Sequence, residues 1–185
     1  MRQRKKQNWI LGAVAGLGII LILGVLWVFS LGFRFLDYHD KEDGFFMKYP
    51  DQWTFDNSAE GASVIFFAPL ENELDNFKEN VNVVVQDISK NPMTLNQYTG
   101  LAIRQMEAVF GNNLVTLESE PTRFAGQKGY RFVFLGKGSD LELKYLISWT
   151  IKDMKAYQVT YTAIAAHYDK HLSKVKKMFR SFRIE

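Results

Sequence analysis

The sequence predicts an α+β fold: an antiparallel β-sheet layered between α-helices and preceded by one N-terminal transmembrane helix. Three observations predict it. An uncharged apolar run near the N-terminus is long enough to span a bilayer, several later segments alternate apolar and polar residues, and two others place apolar residues at helical spacing. Because strands and helices that each bury one face must pack on one another, the later elements are expected to form one layered domain.

The apolar run extends from Trp9 to Phe33 and contains 25 residues without a charge. As a helix it would be about 37 Å long, against a hydrocarbon core of about 30 Å. A secretory signal peptide is the alternative, since basic residues precede the run. Its apolar core would be only about 7–15 residues long and would end at a small-residue cleavage site, which the sequence around Ser30 fits poorly. We therefore expect an uncleaved anchor.

The cations near this span predict its orientation. Several lie in residues 1–8, whereas Arg34 alone follows the span before an acidic stretch. The positive-inside rule then makes residues 1–8 a cytoplasmic tail and places the C-terminal domain outside the cytoplasm, as in a single-pass protein of the cell membrane. Residues 34–43 form a short, charged segment that we interpret as a linker. The domain is then expected to cover residues 44–185.

Gly12 and Gly16 form a G-x-x-x-G motif inside the predicted span. This spacing lets two membrane helices approach closely, so a weak homodimer through the transmembrane helix is one interpretation. The alternative is that glycine is simply common in membrane helices.

Charge and cysteine content narrow the function classes. The formal net charge is +3, but five Lys or Arg and no acid precede residue 37, so the remaining chain has 18 cations and 20 acids. This nearly neutral domain gives no electrostatic signal for a nucleic-acid partner. The chain has no cysteine. A disulfide framework, a lipoprotein cysteine and a thiol nucleophile are therefore excluded, and the core alone must stabilise the domain.

The domain opens with strands rich in aromatic residues. The stretch "GFFMKYP" predicts a strand from Phe45 to Tyr49 that ends at Pro50, because proline cannot donate to a ladder. A turn then returns Trp53 and Phe55 to the core. We expect Phe45, Tyr49 and Trp53 to be buried as core residues that position the first strands.

Two further strands and a helix follow. The runs at 63–69 and 81–88 are β-branched and aromatic, and the acidic segment 70–80 between them is interpreted as a loop. The next segment changes to helical spacing and predicts one apolar face, made of Leu95, Tyr98, Ala102, Met106 and Val109. Thr94 and Gln97 form a capping box, and Gly111 is expected to end the helix.

The clearest strand lies at 141–152, where apolar residues recur at every second position over twelve residues. One buried face is predicted, made of Leu141, Leu143, Tyr145, Ile147, Trp149 and Ile151. The runs at 129–135 and 156–165 also alternate, and their short connections favour an antiparallel meander. Residues 114–124 are expected to add a strand that turns at 125–127.

The last predicted element is a helix over 168–182, with one apolar face made of Tyr168, Leu172, Val175, Phe179 and Phe182. Its lysines face elsewhere. Lys170, Lys174 and Lys177 form a candidate docking face for a partner or for anionic lipid headgroups. The alternative is a solvated face, since cations near a helix C-terminus also complement its dipole.

The order and spacing of several pieces resemble the PsbP-like proteins, the extracytoplasmic branch of the Mog1/PsbP-like fold. The pieces are "GFFMKYPDQW", "FFAP" followed by "ENVNVVVQDI" and "MTLNQY", then "AGQKGYRF", and finally "AYQVTYTA" followed by "FRSFRI". The resemblance covers about residues 44–185. It implies an antiparallel sheet between helices and a non-enzymatic role in membrane-associated assemblies.

Photosynthetic members of this family are lumenal or lipid-anchored extrinsic subunits of the oxygen-evolving photosystem. This chain instead keeps a predicted span and lacks a lipoprotein cysteine, so it looks more like the membrane-anchored bacterial members. The resemblance therefore implies a scaffold for an envelope or membrane protein assembly, with a photosystem II extrinsic or assembly role as the alternative.

A metal site is the main chemical alternative. His167 and His171 are four residues apart, so a helix would place both imidazoles on one face with Asp169 nearby, as a transition-metal site would require. The other interpretation is that both histidines are solvated beside the helix start. An acidic loop offers weak calcium ligands but lacks the EF-hand spacing, and a solvated loop is the alternative for Glu71, Glu73, Asp75 and Glu79.

Catalytic motifs are missing from the sequence. It has no G-x-S-x-G elbow, no cysteine nucleophile and no glycine-rich phosphate loop, so no cofactor is expected. The sequence thus predicts a non-enzymatic binding or scaffolding domain. A solute or metal sensor and an envelope hydrolase remain as alternatives.

Overall fold

The computed structural model describes residues 34–73, 75–138 and 141–185. The predicted span and the motif formed by Gly12 and Gly16 lie outside these residues. From Phe35 to Glu185, the described residues belong to one compact unit. Neither helix within it is long and apolar enough to cross a membrane.

This unit contains two antiparallel sheets and two α-helices, in the chain order β1 Phe35–Asp40, β2 Phe45–Pro50, β3 Thr54–Asp56, β4 Val64–Phe67, β5 Asn80–Asp87, α1 Leu95–Phe110, β6 Leu114–Phe124, β7 Gln127–Lys137, β8 Glu142–Lys152, β9 Lys155–Ile164, α2 Tyr168–Ser181 and β10 Arg183–Ile184. The large sheet has the order β3-β4-β5-β9-β8-β7-β6, and the small sheet has the order β1-β2-β10. The predicted meander is confirmed as β6 to β9.

The helices lie on opposite faces of the large sheet. Helix α1 packs with Phe132, Phe134 and Ile147 on one face. Helix α2 and the small sheet pack on the other face, around Val159 and Tyr161. The predicted layering of a sheet between helices is therefore confirmed, with the small sheet as an additional part of the second layer.

Strand β1 corrects the predicted linker at 34–43. Its residues pair in antiparallel register with β2, so that Tyr38 lies opposite Met47. Tyr38 is buried, and its ring meets that of Phe66 edge-on at 5.4 Å. Because β1 is an edge strand with only one buried side chain, it carries no apolar period that the sequence could reveal.

Helix α1 begins as predicted. The hydroxyl of Thr94 accepts from the backbone N–H of Gln97 at 3.3 Å, and the Gln97 side chain accepts from the backbone N–H of Thr94 at 2.9 Å. The predicted apolar face is wrong at its end, because Val109 is 77% exposed. Phe110 packs there instead, over Gly136, where a Cβ would lie only 2.6 Å from the phenylalanine ring.

The burial of β8 differs from the one-sided prediction. Ile147 and Trp149 are buried as expected, but Leu146, Ser148 and Thr150 on the other face are buried too. The strand lies in the middle of the large sheet, so both of its faces are covered by other layers. Leu141, placed on the buried face by its spacing, precedes the strand and is largely exposed.

Most aromatic side chains in the first strands of the domain are buried. Phe45, Tyr49 and Trp53 are buried, which confirms their predicted core position. Phe55 is nearly half exposed because β3 is the short edge strand of the large sheet. Its ring still contacts the ring of Tyr38 edge-on at 5.3 Å.

Candidate functional site

A groove of about 590 Å³ lies between helix α2 and strands β6 to β8. Helix α2 packs mainly on β2 and β9, so it does not cover the sheet face that β6, β7 and β8 offer on the same side. The groove is the space beside α2 over this uncovered face. Its volume is in the range of sites that bind small molecules or side-chain clusters.

The floor and one end of the groove are apolar. Val133 of β7 and Leu146 of β8 form part of the floor, and both are buried. At the end, the rings of Phe124 and Phe182 stack with centroids 5.1 Å apart and an interplanar angle of 2°. Phe179 of α2 packs beside them, with its ring 6.2 Å from that of Phe124.

The rim is cationic. The groove lining contains two carboxylates, Glu118 and Asp169, and five cations, Arg123, Arg131, Lys144, Lys176 and Arg180. The Arg131 guanidinium contacts Glu118 only loosely, at 3.9 Å, and its Nε is buried without a hydrogen-bond partner in the described residues. Since a guanidinium has five donors and this side chain is 43% exposed, its remaining donors are open to solvent and to a ligand.

Tyr168 is the titratable aromatic residue of the groove wall. Burial of its ring, together with the nearby charge of Glu118, raises the pKa of Tyr168 to about 12. The Nζ of Lys144 lies 4.1 Å from the centroid of that ring, in a cation–π contact. Tyr168 therefore stays neutral at physiological pH and offers the groove a hydroxyl.

The three predicted metal ligands do not come together. Asp169 lines the groove, whereas His171 lies against Trp53, with ring centroids 5.7 Å apart and nearly perpendicular. His167 lies in the short 3-10 turn before α2, with Nδ1 3.6 Å from Glu79. In the parts of the chain that the structure describes, no group of three metal-ligating side chains is close enough to hold an ion.

The solvated interpretation of His171 is also wrong. Its side chain is buried, at 6% exposure, and both ring nitrogens lack a hydrogen-bond partner among the described residues. Burial, and secondarily the charges of Lys174 and Lys170, lower the pKa of His171. The histidine therefore packs as a neutral ring.

The acidic segment before β5 is attached to helix α2. Glu71 forms an ion pair with Lys170, which lowers the pKa of that carboxyl. Asp75 accepts from the backbone N–H groups of Glu71 and Phe77 and so orders its own turn. The solvated-loop interpretation is wrong for Glu79, which is 1% exposed.

The predicted docking lysines do not line the groove. Lys170 pairs with Glu71, burial lowers the pKa of Lys174, and Lys177 lies 5.7 Å from the centroid of the Phe35 ring. The lysine of α2 that does line the groove is Lys176.

Sequence reasoning missed the cations that β7 and β8 supply to the groove. Arg131 lies two residues from Val133, and Lys144 two residues from Leu146, so each shares a sheet face with a buried apolar side chain. A cation at such a position is the signal that would have identified them.

The sequence model of the PsbP family matches residues 34–184. The match covers both sheets and both helices. None of the curated proteins compared with the chain matches it.

Solved structures with 19% sequence identity or less share the fold. The solution structure of cyanobacterial PsbP (CyanoP) from Synechocystis sp. PCC 6803 has a TM-score of 0.60 at 19% identity and covers 82% of this chain and 92% of that chain. LpqN, described as involved in cell envelope biogenesis of Mycobacterium tuberculosis, has a TM-score of 0.58 at 9% identity, covering 85% and 94%. The Saccharomyces cerevisiae Ran-binding protein Mog1p has a TM-score of 0.57 at 8% identity, covering 83% and 96%. The predicted Mog1/PsbP-like fold is thereby confirmed.

Proposed function

The chain belongs to the PsbP family, and from this premise we propose that it is a membrane-anchored, extracytoplasmic binding domain. It holds another envelope or membrane protein and stabilises the assembly without catalysing a reaction. The anchor is the apolar run from Trp9 to Phe33, and the domain is the compact unit that begins at Phe35.

The groove between α2 and β6 to β8 is the observation that carries this proposal. It is concave, has an apolar floor at Val133 and Leu146, and has more cations than acids at its rim. Protein-binding surfaces typically combine a desolvated apolar centre with a polar rim. The groove therefore supplies both the apolar area and the charges that a protein partner requires.

The composition of the groove favours binding over catalysis. The described residues that line it include no histidine and no cysteine. Its phenol, Tyr168, has a raised pKa and stays protonated, so it is a poor general base at neutral pH. A nucleophile adjacent to a base, which hydrolases need, is not found among these lining residues.

Two of the similar structures support a location in the envelope and a protein partner. LpqN is described as involved in cell envelope biogenesis, and Mog1p is described as a Ran-binding protein. Both descriptions concern those proteins, and the low identities extend only the fold to this chain. They support the proposal because the same fold occurs in a protein involved in envelope biogenesis and in a protein that binds another protein.

Site-specific photo-crosslinking in intact cells tests the proposal. A photoreactive residue is placed at Thr122, which lines the groove, and a matched control at Gln105, which is exposed on helix α1. We expect a discrete adduct with one envelope or membrane protein from position 122 and none from position 105. Identical adducts from both positions, or no adduct from position 122, would contradict a partner at the groove.

A further inference from the structure

Most of the cations that line the groove have no ion pair within the described residues, whereas several cations elsewhere in the domain are paired. Lys48 pairs with Asp37, Lys155 lies 4.0 Å from Asp43, and Lys170 pairs with Glu71. By contrast, within the described residues no carboxylate pairs with the groove residues Lys144, Lys176 and Arg180. The groove lining, with five cations and two carboxylates, therefore holds an excess of positive charge that is available to a partner.

Arg131 is a groove cation with donors that an additional anionic group can use. Its guanidinium lies 3.9 Å from Glu118, and Glu120 lies opposite it on β6 without an ion pair to it within 4.0 Å. The side chain of Arg131 is 43% exposed, so a carboxylate from outside the chain can reach the terminal nitrogens of the guanidinium, a group that binds carboxylates through two parallel hydrogen bonds.

The distribution of the cations indicates several separated charges rather than one compact anion. Arg131 and Lys144 lie on the sheet wall, while Lys176 and Arg180 lie one helical turn apart on the α2 wall. A single compact anion presents its charge at one point. Acidic side chains spaced along a peptide can each pair with a different cation, so such a segment matches charges that come from both walls.

The floor indicates that the occupant also carries apolar side chains. Val133 and Leu146 underlie the groove, and the stacked rings of Phe124 and Phe182 close one end. Water in contact with this floor is released when an apolar side chain covers it, which favours binding. A purely charged ligand would leave that contribution unused.

We propose that the groove binds an acidic segment of the partner protein, in which carboxylate side chains pair with Arg131, Lys176 and Arg180 and apolar side chains cover Val133 and Leu146. This inference rests on the proposed function, because it names the chemistry of the partner at the same site. The carboxylates determine orientation, and the apolar side chains supply contact area.

The test uses the full chain in nanodiscs and a fluorescent peptide in which Asp and Val alternate. The matched control peptide replaces every Asp with Asn, so it retains the same size and apolar content. We expect the Asp peptide to bind in a salt-sensitive manner and the Asn peptide to bind about tenfold more weakly or worse, since charged hydrogen bonds are roughly twice as strong as neutral ones. Equal binding of the two peptides would overturn the proposal.

Two variants locate the binding site. Lys176 and Arg180 are exposed on α2, so Lys176→Gln with Arg180→Gln should fold normally and weaken Asp-peptide binding by about tenfold. The control, Lys90→Gln with Arg104→Gln, removes the same charge from exposed positions away from the groove and should leave binding unchanged. Arg131→Gln supplies a second groove variant. Equal effects of the groove and control variants would overturn the proposal.

Two competitors test whether the groove instead binds free phosphate or an anionic lipid surface. Inorganic phosphate and vesicles containing phosphatidylglycerol are each added to the peptide complex. We expect neither to displace the peptide at physiological ionic strength. Displacement by either one that depends on Lys176 and Arg180 would assign the groove to phosphate or to lipid instead. If crosslinking at Thr122 identifies a partner but the Asp peptide does not bind, the proposed function stands and the acidic occupant is wrong.

Discussion

The indole Nε1 of Trp149 donates a hydrogen bond of 2.9 Å to the hydroxyl of Thr99 and so joins the central strand β8 to helix α1. Trp149 is fully buried, and its ring stacks on that of Tyr130 at 5.4 Å. Because the indole nitrogen has no water to bond in this position, the threonine hydroxyl fixes where the helix sits on the sheet.

Trp149→Ala should lower the free energy of unfolding by about 3–5 kcal/mol, because it removes a fully buried aromatic side chain and leaves a cavity. Thr99→Val should cost about 1–3 kcal/mol, since it leaves the buried indole N–H without an acceptor. Urea denaturation measures both. Val109→Ala, at an exposed position of the same helix, should change stability by less than about 0.5 kcal/mol. A loss below about 1 kcal/mol for Trp149→Ala would contradict the burial of that side chain.

Gly129→Ala should destabilise the domain by about 1–3 kcal/mol through overpacking. A Cβ at this position would lie 2.7 Å from the carbonyl oxygen of Trp149 and 2.9 Å from the Cβ of Phe124, and backbone cannot move aside as a side chain can. Gly138→Ala is the matched control, since its Cβ would make only an ordinary 3.5 Å contact. Thermal unfolding compares the two, and equal melting temperatures would show that β7 and β8 are farther apart than described.

The buried His171 should make stability depend on pH. Its folded-state pKa lies below the usual 6.5 because burial disfavours the charged ring, with Lys170, Lys174 and His167 facing it and Glu71 opposing their effect. The unfolded state therefore binds the proton first as pH falls, so this contribution to stability is complete above about pH 6.5 and is lost below it.

Denaturant titrations at a series of pH values check this dependence. We expect His171→Gln to show a smaller loss of unfolding free energy between pH 7 and pH 5 than the unchanged chain. If the slope were the same in His171→Gln, the burial of this imidazole against Trp53 would be wrong.

The single-pass topology remains a proposal that a reporter fusion can test. A reporter that is active only outside the cytoplasm, fused after Glu185, should be active because the cations of residues 1–8 keep the N-terminus inside. The full chain should also stay in the membrane fraction at high salt. Strong activity of a cytoplasm-only reporter at the same point would contradict the orientation, and a released product beginning near Leu31 would indicate cleavage.

The sequence by itself determined the elements that depend on local pattern. The capping box of Thr94 and Gln97, the two-residue period of β8 and the order of strands in the meander all follow from neighbours a few residues apart. These signals are local because a helix start and a strand face are properties of a short segment. The edge strand β1 gave no such signal, since it buries only Tyr38.

The tertiary structure alone decided which charged side chains meet. Arg131 and Lys144 line the same groove as Lys176 and Arg180 for two reasons. The register of β7 and β8 places the first pair on the sheet face that carries α2, and α2 packs over β9 and leaves β7 and β8 uncovered. The same packing buries His171 against Trp53, which the spacing of the two histidines could not indicate. Long-range packing determines the desolvation of a side chain and the partners within its reach, and neither is encoded in a short segment of sequence.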